Sequence, residues 1–163
     1  MNAVKAKKIQ IALLIIACVV FVVGLILSSK AEKEKAHDVG AIGIEIVNDH
    51  TENEGKTYYV YTDFKIYNGT EVTLKYLTVV TYFTDKEGKA IGSMTSSFGS
   101  SLSWEDGIAL DSKEDVIRTS YLQESYSKWG QLFEELYENG VSSYDVRHEI
   151  TYAVWSDGYE WRK

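Results

Sequence analysis

The stretch NGTEVTLKYLTVVTYFTDKEGKAIG, residues 68–92, decides the fold. Asn68 and Gly69 tolerate the positive φ angles of tight connections, so the stretch is predicted to begin with a turn. The residues from Val72 to Thr84 then alternate between two faces, which is the period expected of a strand. Residues 85–88, DKEG, predict a tight turn, and Ala90 to Ser96 returns as a second strand. The stretch therefore predicts an antiparallel hairpin.

This hairpin resembles the core of the FxLYD-type and related telokin-like immunoglobulin-fold domains of bacterial cell-envelope proteins. The matching residues are Asn68 at the turn, the strand Leu74 to Phe83, Asp85 and Gly88 in the hairpin, and Ile91 after it. A later segment, ALDSKE at 109–114, resembles the turn before the family's next strand, with Asp-Ser where the family usually carries Pro-Gly. The resemblance covers about Thr57 to Leu122 and implies an immunoglobulin-like β-sandwich outside a bacterial membrane.

Other segments also carry strand patterns. Thr57 to Tyr67 places Val60, Phe64 and Ile66 on one face and Tyr59, Tyr61, Lys65 and Tyr67 on the other, so both faces are partly aromatic. The last strand is predicted to place Tyr144, Val146, His148, Ile150, Tyr152 and Val154 on one face, with His148 as a core or edge histidine. Thr95 to Ser103 is either a loop or an irregular edge strand. The remaining predictions are strands at Ala41–Val47 and Val116–Tyr121, and a polar turn region at Asn48–Lys56.

One segment breaks the β pattern. From Glu124 to Asn139 the apolar residues recur at steps of three and four, and Asn139-Gly140 is a helix stop. The segment therefore predicts one amphipathic helix inserted before the last long strand. We predict a mainly β fold, an antiparallel immunoglobulin-like β-sandwich with this inserted helix, over residues 39–163.

The amino-terminal run from Ile9 to Leu27 contains no charge, and its polar side chain is Gln10. Nineteen residues at ~1.5 Å each match a hydrocarbon core of ~30 Å, so the run predicts a single transmembrane helix. Residues 1–8 are then a cytoplasmic amino terminus, and 28–38 form a charged tether in which His37 is solvated. The short amino-terminal segment has nothing to drive its translocation, so the domain is predicted on the outer side of the cell membrane.

Two other fates of this run stay open. Ser28, Ser29 and Ala31 could form the cleavage site of a secretory signal, although the apolar run is longer than such signals usually have. Residues 15–18, IIAC, resemble a bacterial lipobox, in which Cys18 would carry the lipid. Nine further apolar residues follow Cys18 where a lipoprotein normally has a polar tether. A continuous span is therefore the preferred interpretation.

The net charge of the part beyond the apolar run indicates which partners it can bind. All 24 acidic residues lie beyond the apolar run, against 14 of the 17 Lys and Arg residues, so this part carries 14 minus 24, or −10. Phosphate binding depends on clustered Lys and Arg, and the sequence has no such cluster. We therefore expect no nucleic-acid partner. The part also contains no cysteine, so it has no disulfide.

No motif indicates an enzyme or a cofactor. Gly-x-Ser-x-Gly elbows, metal-spaced His or Cys and phosphate-binding glycine loops are absent from the sequence. An enzyme would require distant carboxylates such as Asp106, Asp111 and Asp157 to converge. We expect instead a non-enzymatic binding or assembly module with a protein or cell-wall partner. A small-ligand or signal-sensing domain, with a pocket between helix and sheet, is the alternative. The predicted interaction surface consists of Trp129, Phe133, Trp104, Tyr159 and Trp161.

Overall fold

The computed structural model describes residues 3–55, 57–99, 109–124 and 130–163. The chain forms two compact units, Met1–Ala36 and His37–Lys163. The first unit is one helix, α1, which runs from Ala3 to Ala36 and includes most of the predicted tether. In the part of the chain that the structure describes, no helix meets the length and apolarity expected of a membrane-spanning helix.

The second unit is mainly β. One sheet has the strand order β1-β2-β5 and the other has the order β4-β3-β6-β7, and every paired strand is antiparallel. Helix α2 lies between β5 and β6 in the chain, so the predicted inserted helix is confirmed. The bounds are β1 Ile42–Glu54, β2 Thr57–Asn68, β3 Leu74–Thr84, β4 Ala90–Phe98, β5 Asp115–Gln123, α2 Gly130–Asn139, β6 Asp145–Trp155 and β7 Glu160–Arg162.

The hairpin predicted from residues 68–92 is β3 and β4. The Asp85 N–H donates to the Lys89 carbonyl at 2.9 Å, and Asp85 Oδ1 accepts the backbone N–H groups of Glu87 and Lys89. Gly88 has a φ of 86°, which a residue with a Cβ rarely adopts. The sequence DKEG thus supplies both the local acceptor and the glycine that this turn requires.

Strand β1 corrects the prediction of a polar turn region at Asn48–Lys56. The strand continues to Glu54 and pairs with β2 along that length, after an irregularity at Val47. Polar side chains do not end a strand when a neighbouring strand supplies partners for its backbone hydrogen bonds, as β2 does for β1. The segment Thr95–Ser103 was predicted as either a loop or an irregular edge strand. Its residues up to Phe98 belong to edge strand β4, and the ring centroids of Phe98 and Phe64 lie 5.4 Å apart. Residues 100–103 lie outside the described residues.

Strand β6 corrects the predicted division of faces in the last strand. Its pairing with β3 shifts between Ile150 and Tyr152, so Thr151 is an extra residue in the ladder. A bulge reverses the alternation of side chains beyond it. As a result Ala153 and Trp155 are fully buried, whereas the prediction put Tyr152 and Val154 on the same face as Ile150. Val154 is also buried, at 8% exposed, and Tyr152 is half-buried.

The core lies between the two sheets, and α2 closes one part of it. Leu132, Phe133 and Leu136 of α2 are buried, and a Cβ on Gly92 would lie 3.1 Å from Leu132, so the glycine lets the helix approach β4 closely. The hydrophobic residues with an exposed fraction of 1% or less are Val60, Phe64, Ile66, Leu74, Leu77, Val79, Phe83, Met94, Leu136, Ala153 and Trp155.

Asn68 organises the polar contacts at one end of this core. Its side-chain Nδ2 donates to the carbonyls of Val72 and Leu110, each at 2.9 Å. Its Oδ1 accepts the Thr70 N–H at 3.1 Å and the Thr70 hydroxyl at 2.6 Å. Trp155 Nε1 in turn donates to the Thr70 hydroxyl at 3.0 Å. The amide is therefore fully hydrogen-bonded although Asn68 is completely buried.

His37 corrects the predicted boundary between tether and domain. The residue is 4% exposed, and its ring stacks on Tyr159 at 4.3 Å and meets the edge of Trp155 at 5.1 Å. Its Nε2 lies 3.0 Å from Asp157 Oδ2. His37 is thus part of the β unit and is not a solvated tether residue. The hydrophilic sequence around it gave no sign of this contact, which forms across 120 residues of chain.

Candidate functional site

Only three of the five residues of the predicted interaction surface lie among the described residues. Phe133 is 6% exposed and packs in the core, because it lies on the inner stripe of α2, so its ring does not contribute to the exposed surface of the described chain. Tyr159 and Trp161 are half-buried and pack against the core as well. Trp104 and Trp129 lie outside the described residues. The exposed aromatic rings of the described chain are found elsewhere.

The carboxylates named for an enzyme do not form a described site. Asp111 accepts a hydrogen bond from the Thr73 hydroxyl at 2.7 Å, and Asp157 contacts His37, so both have structural partners. Burial raises the pKa of Asp157, but the Tyr159 N–H and His37 outweigh it and hold the pKa below its usual value. Asp106 lies outside the described residues. Within the described chain, no three or more His, Cys, Asp or Glu side chains form a set that could hold a metal ion.

The outer surface of the β1-β2-β5 sheet carries a cluster of four rings, His50, Tyr59, Tyr61 and Tyr121, which we name the tyrosine face. His50 stacks on Tyr61 with ring centroids 5.0 Å apart, and Tyr61 lies 5.8 Å from Tyr121. Tyr59 lies 5.7 Å from Tyr61 and 5.8 Å from Tyr121. Tyr121 is 55% exposed. His50 is exposed as well, and Tyr59 and Tyr61 are half-buried, so the rings form one continuous aromatic surface that is partly accessible to solvent.

Strand register produces the tyrosine face. His50 of β1 and Tyr121 of β5 both pair directly with Tyr61 of β2, and directly opposed side chains lie on the same face of a sheet. Tyr59 is two residues from Tyr61 and therefore shares its face. The inner face of the same strand holds Val60 and Phe64, which are buried. The alternation predicted for β2 is confirmed, and the aromatic outer face is accessible to solvent.

Acidic groups border the tyrosine face. Burial raises the pKa of the Tyr61 hydroxyl, and the carboxylates of Glu54 and Glu52 raise it further. Tyr61 is therefore a neutral hydrogen-bond donor at ordinary pH. Asp63 is the next outward residue on β2, and hydrogen bonds from Thr119 and Asn48 lower its pKa and keep it ionised. The surface combines neutral aromatic rings with fixed negative charge.

The outer surface of the other sheet provides a contrast. Tyr76 and Tyr152 meet edge to face at 5.6 Å, but Arg162 lies over the Tyr152 ring at 4.7 Å. The Tyr152 hydroxyl donates to Glu160 at 3.0 Å. Residues of β7 therefore cover Tyr152, whereas no Lys or Arg of the described residues is placed over a ring of the tyrosine face. Tyr76 and Tyr152 are a natural control for experiments on the tyrosine face.

A groove runs between β1 and the first half of β6. A cavity of about 510 Å³ is lined by Val39, Ile42, Ile44, Val146, Arg147, His148 and Ile150. A second cavity of about 410 Å³ continues along β1 toward Val141 and Tyr144. Burial lowers the pKa of His148, whose Nδ1 lies 3.1 Å from the Thr81 hydroxyl and whose ring approaches Phe64 at 5.9 Å. The groove is thus lined mainly by Val and Ile side chains, together with Arg147 and a neutral imidazole at its centre.

Fold and surface together define a mainly β protein of two antiparallel sheets with one inserted helix and an exposed aromatic face. No protein-family model and no curated protein matches the chain. A solved structure of a Bordetella pertussis protein given the provisional name ApaA aligns with 75% of this chain and 85% of its own, at 12% identity and a TM-score of 0.40. The structural-genomics target SoR45 aligns with 75% of this chain and 80% of its own, at 14% identity and a TM-score of 0.37.

Proposed function

We propose that this protein is a non-enzymatic binding module, anchored in the cell membrane by its amino-terminal helix and facing outward. The observation that carries the proposal is the tyrosine face, an exposed aromatic surface on a rigid sheet. Aromatic rings cost little conformational entropy when they bind, and clustered exposed rings are typical of recognition surfaces. The partner in this proposal is a neutral polysaccharide strand of the cell wall.

The chemistry of the surface favours such a partner. The C–H faces of sugar rings are apolar and stack on tyrosine rings, while sugar hydroxyls bond to groups such as the Tyr61 hydroxyl and Asp63. The negative charge of Glu52, Glu54 and Asp63 disfavours polyanions, including nucleic acid. If the partner is instead a protein bound through the same rings, the wild type should not bind purified wall polysaccharide, which is one outcome of the experiment below.

The anchor rests on α1 and its sequence. Residues 9–27 carry no charge, and the described large apolar side chains between Ile15 and Leu27 have exposed fractions from 48% at Val23 to 68% at Phe21. A continuous exposed apolar surface of this kind is typical of a segment covered by lipid or by another protein. Attachment of lipid to Cys18, which is free and exposed, is the alternative form of anchoring.

We propose further that the sandwich is of immunoglobulin-like type. Immunoglobulin constant domains place their first, second, fifth and fourth strands in one sheet, with the remaining three in the other. Here the sheet orders are β1-β2-β5 and β4-β3-β6-β7, so β4 pairs with β3 on the opposite sheet. The difference from the constant-domain order is thus the transfer of one edge strand, β4, from one sheet to the other.

The experiment is a sedimentation assay of full-length protein in detergent micelles with purified insoluble wall polysaccharide. Tyr61→Ala combined with Tyr121→Ala should weaken the affinity at least about tenfold, since two ring contacts of about 1 kcal/mol each are lost. Tyr76→Ala combined with Tyr152→Ala, on the other sheet, should bind as the wild type does. Equal binding by both double variants, or no binding by the wild type, would overturn the polysaccharide proposal.

A small-ligand sensing domain remains the second candidate, and the groove beside His148 favours it. Its larger cavity of about 510 Å³ lies within the size range of ligand pockets, although the groove is open along one side. The predicted pocket between helix and sheet is a different place, where Leu132 and Leu136 fill the contact. A thermal shift with a small molecule that Ile44→Trp abolishes would support this candidate.

A further inference from the structure

Strand β6 is paired along its whole length on one side and along a short part of it on the other. On the first side, β3 pairs with residues from Asp145 to Trp155. On the second side, β7 pairs with Tyr152, Ala153 and Val154, and the Lys163 N–H donates to the Thr151 carbonyl at 3.2 Å. Among the described residues, no strand pairs with that side of residues 145–150. We name this segment the free edge of β6.

The free edge of β6 presents apolar side chains as well as backbone. Val146, His148 and Ile150 point toward the interior and are half-buried, and they line the groove of about 510 Å³. An unpaired strand edge beside an apolar groove is a template for another strand. Natural proteins usually block such an edge with inward charges or covering loops, and here the inward residues are uncharged at neutral pH.

The outward residues of the free edge have opposite charges. Arg147 and Glu149 flank His148, and their side chains are 68% and 20% exposed. Within one copy Arg147 lies 3.5 Å from Glu149, and Lys163 also binds the Glu149 carboxylate, so pairing of two copies would exchange the first of these contacts for one between copies. If two copies pair antiparallel with His148 opposite His148, Arg147 of each copy lies opposite Glu149 of the other. The same register places Val146 opposite Ile150 inside the groove. Both the charges and the apolar side chains are then self-complementary.

Neighbouring registers lack this complementarity. Centring the pairing on Arg147 would oppose two arginines and would also oppose Asp145 to Glu149. Centring it on Glu149 would oppose two glutamates. A register that opposed Arg147 to His148 would place outward side chains opposite inward ones, because side chains alternate with a period of two. Like charges directly opposed across strands are destabilising, which disfavours the registers centred on Arg147 and on Glu149. Centring the pairing on Val146 would oppose Asp145 to Arg147, but Glu149 and Ile150 would then lie beyond the start of the partner's strand at Asp145, so the register centred on His148 pairs more of the segment.

We propose that two copies of this protein associate through the free edge of β6, antiparallel and centred on His148. The contact joins the two four-stranded sheets into one continuous sheet and is isologous, as most homodimer contacts are. It goes beyond the proposed function and uses a different surface from the tyrosine face. The self-complementary charges select a second copy in preference to an unrelated strand.

The test is a set of charge-reversal variants of the full-length protein, in detergent micelles, followed by sedimentation. Arg147→Glu alone and Glu149→Arg alone each oppose like charges twice, so each should self-associate at least about tenfold more weakly than the wild type. An equimolar mixture of the two variants should recover association, because every opposed pair across the mixed dimer is again of opposite sign. The double variant R147E/E149R should also associate as the wild type does.

Several outcomes would overturn the proposal. These are a monomeric wild type at every concentration, equal association of all variants, and a mixture that associates no better than its components. Equal association of all variants would place the contact in a part of the chain that these substitutions leave unchanged. None of these outcomes depends on polysaccharide binding, so the proposed function is tested separately.

A cysteine pair provides an independent geometric test. Directly opposed residues of antiparallel strands have Cα atoms ~4.5–5.5 Å apart, which a disulfide can span. In a Cys18→Ala background, His148→Cys should therefore form a symmetric disulfide under mild oxidation. Thr119→Cys, on the exposed edge strand β5 of the other sheet, should stay reduced. Cross-linking of Thr119→Cys as readily as His148→Cys would contradict the proposed register.

Discussion

Polar groups are hydrogen-bonded within the chain in one part of the β unit and lack such partners in another. Around Asn68, the side-chain amide, the Thr70 hydroxyl and Trp155 Nε1 all bond to one another or to nearby carbonyls, and the cluster is buried. Along the free edge of β6, the backbone groups that point away from β3 have no strand partner among the described residues, and they lie beside the groove. Stability is concentrated where polar groups are internally satisfied, and recognition is expected where they are not.

The largest effect is expected at Asn68. Asn68→Ala removes a buried amide and leaves the Val72 and Leu110 carbonyls and the Thr70 hydroxyl without its hydrogen bonds. Each such loss costs ~1–3 kcal/mol, so the free energy of unfolding should fall by about 3 kcal/mol or more. Urea denaturation measures this, with Asn53→Ala at the exposed end of β1 as the control. A change below about 1 kcal/mol would contradict the role assigned to the cluster.

Gly69 should be nearly as sensitive. A Cβ at this position would lie 2.1 Å from the Ala41 carbonyl oxygen, which accepts the Gly69 N–H at 3.0 Å. Gly69→Ala therefore requires the backbone of the turn to move, which typically costs ~1–3 kcal/mol. In Gly130→Ala the new Cβ meets no atom within 4 Å, so that variant should unfold with the wild type. Equal melting temperatures for both variants would show that the turn adapts freely.

A smaller effect is expected from His148 and should depend on pH. Burial lowers the pKa of His148 in the folded protein, so the unfolded chain binds a proton first as the pH falls. The stabilising contribution is complete above the unfolded value of about 6.5 and decreases as the pH falls below it toward the folded pKa. Thermal melts from pH 7.5 to 5 should show this decrease, and His148→Gln should reduce it.

The carboxylates with lowered pKa values do not confuse this measurement. Asp63, Glu149 and Asp157 have folded pKa values below their unfolded ones, so their stabilising contributions are complete above about pH 4.5 and are lost only below it. They therefore act mainly below the window in which His148 titrates. An unchanged pH dependence in His148→Gln would contradict the assignment to the groove.

The smallest effect on stability is expected at the tyrosine face. Tyr121 is 55% exposed, and its replacement by alanine should cost less than about 1 kcal/mol. Phe64→Ala, at a fully buried position on the adjacent strand, should cost ~3–5 kcal/mol in the same assay. A large loss of stability in Tyr121→Ala would mean that the rings hold the sheet together, and their role in binding would lose its support.

Local sequence patterns predicted much of this fold. The DKEG turn, the alternation in β2 and the stop at Asn139-Gly140 each depend on neighbouring residues, and the structure confirms all three. The hairpin needs no information from distant parts of the chain, because Asp85 and Gly88 satisfy the turn locally.

Features that depend on distant partners were not predictable. The bulge at Thr151 arises from pairing with β3, and the burial of His37 depends on Tyr159 and Trp155 at the far end of the chain. The tyrosine face required the register of three strands, since Tyr121 and Tyr61 are opposed only in the folded sheet. The burial of Phe133 was not predictable either, because a helical stripe does not by itself tell which neighbour covers it.

The central claim is that an outward-facing, membrane-anchored domain presents these surfaces. It is tested most directly by protease treatment of intact cells, followed by fractionation of the full-length protein. The account predicts that protease removes the domain while an amino-terminal remnant stays in the membrane without a lipid label. A domain that is protected until the membrane is broken would contradict the outward orientation, and partners would then have to be sought in the cytoplasm.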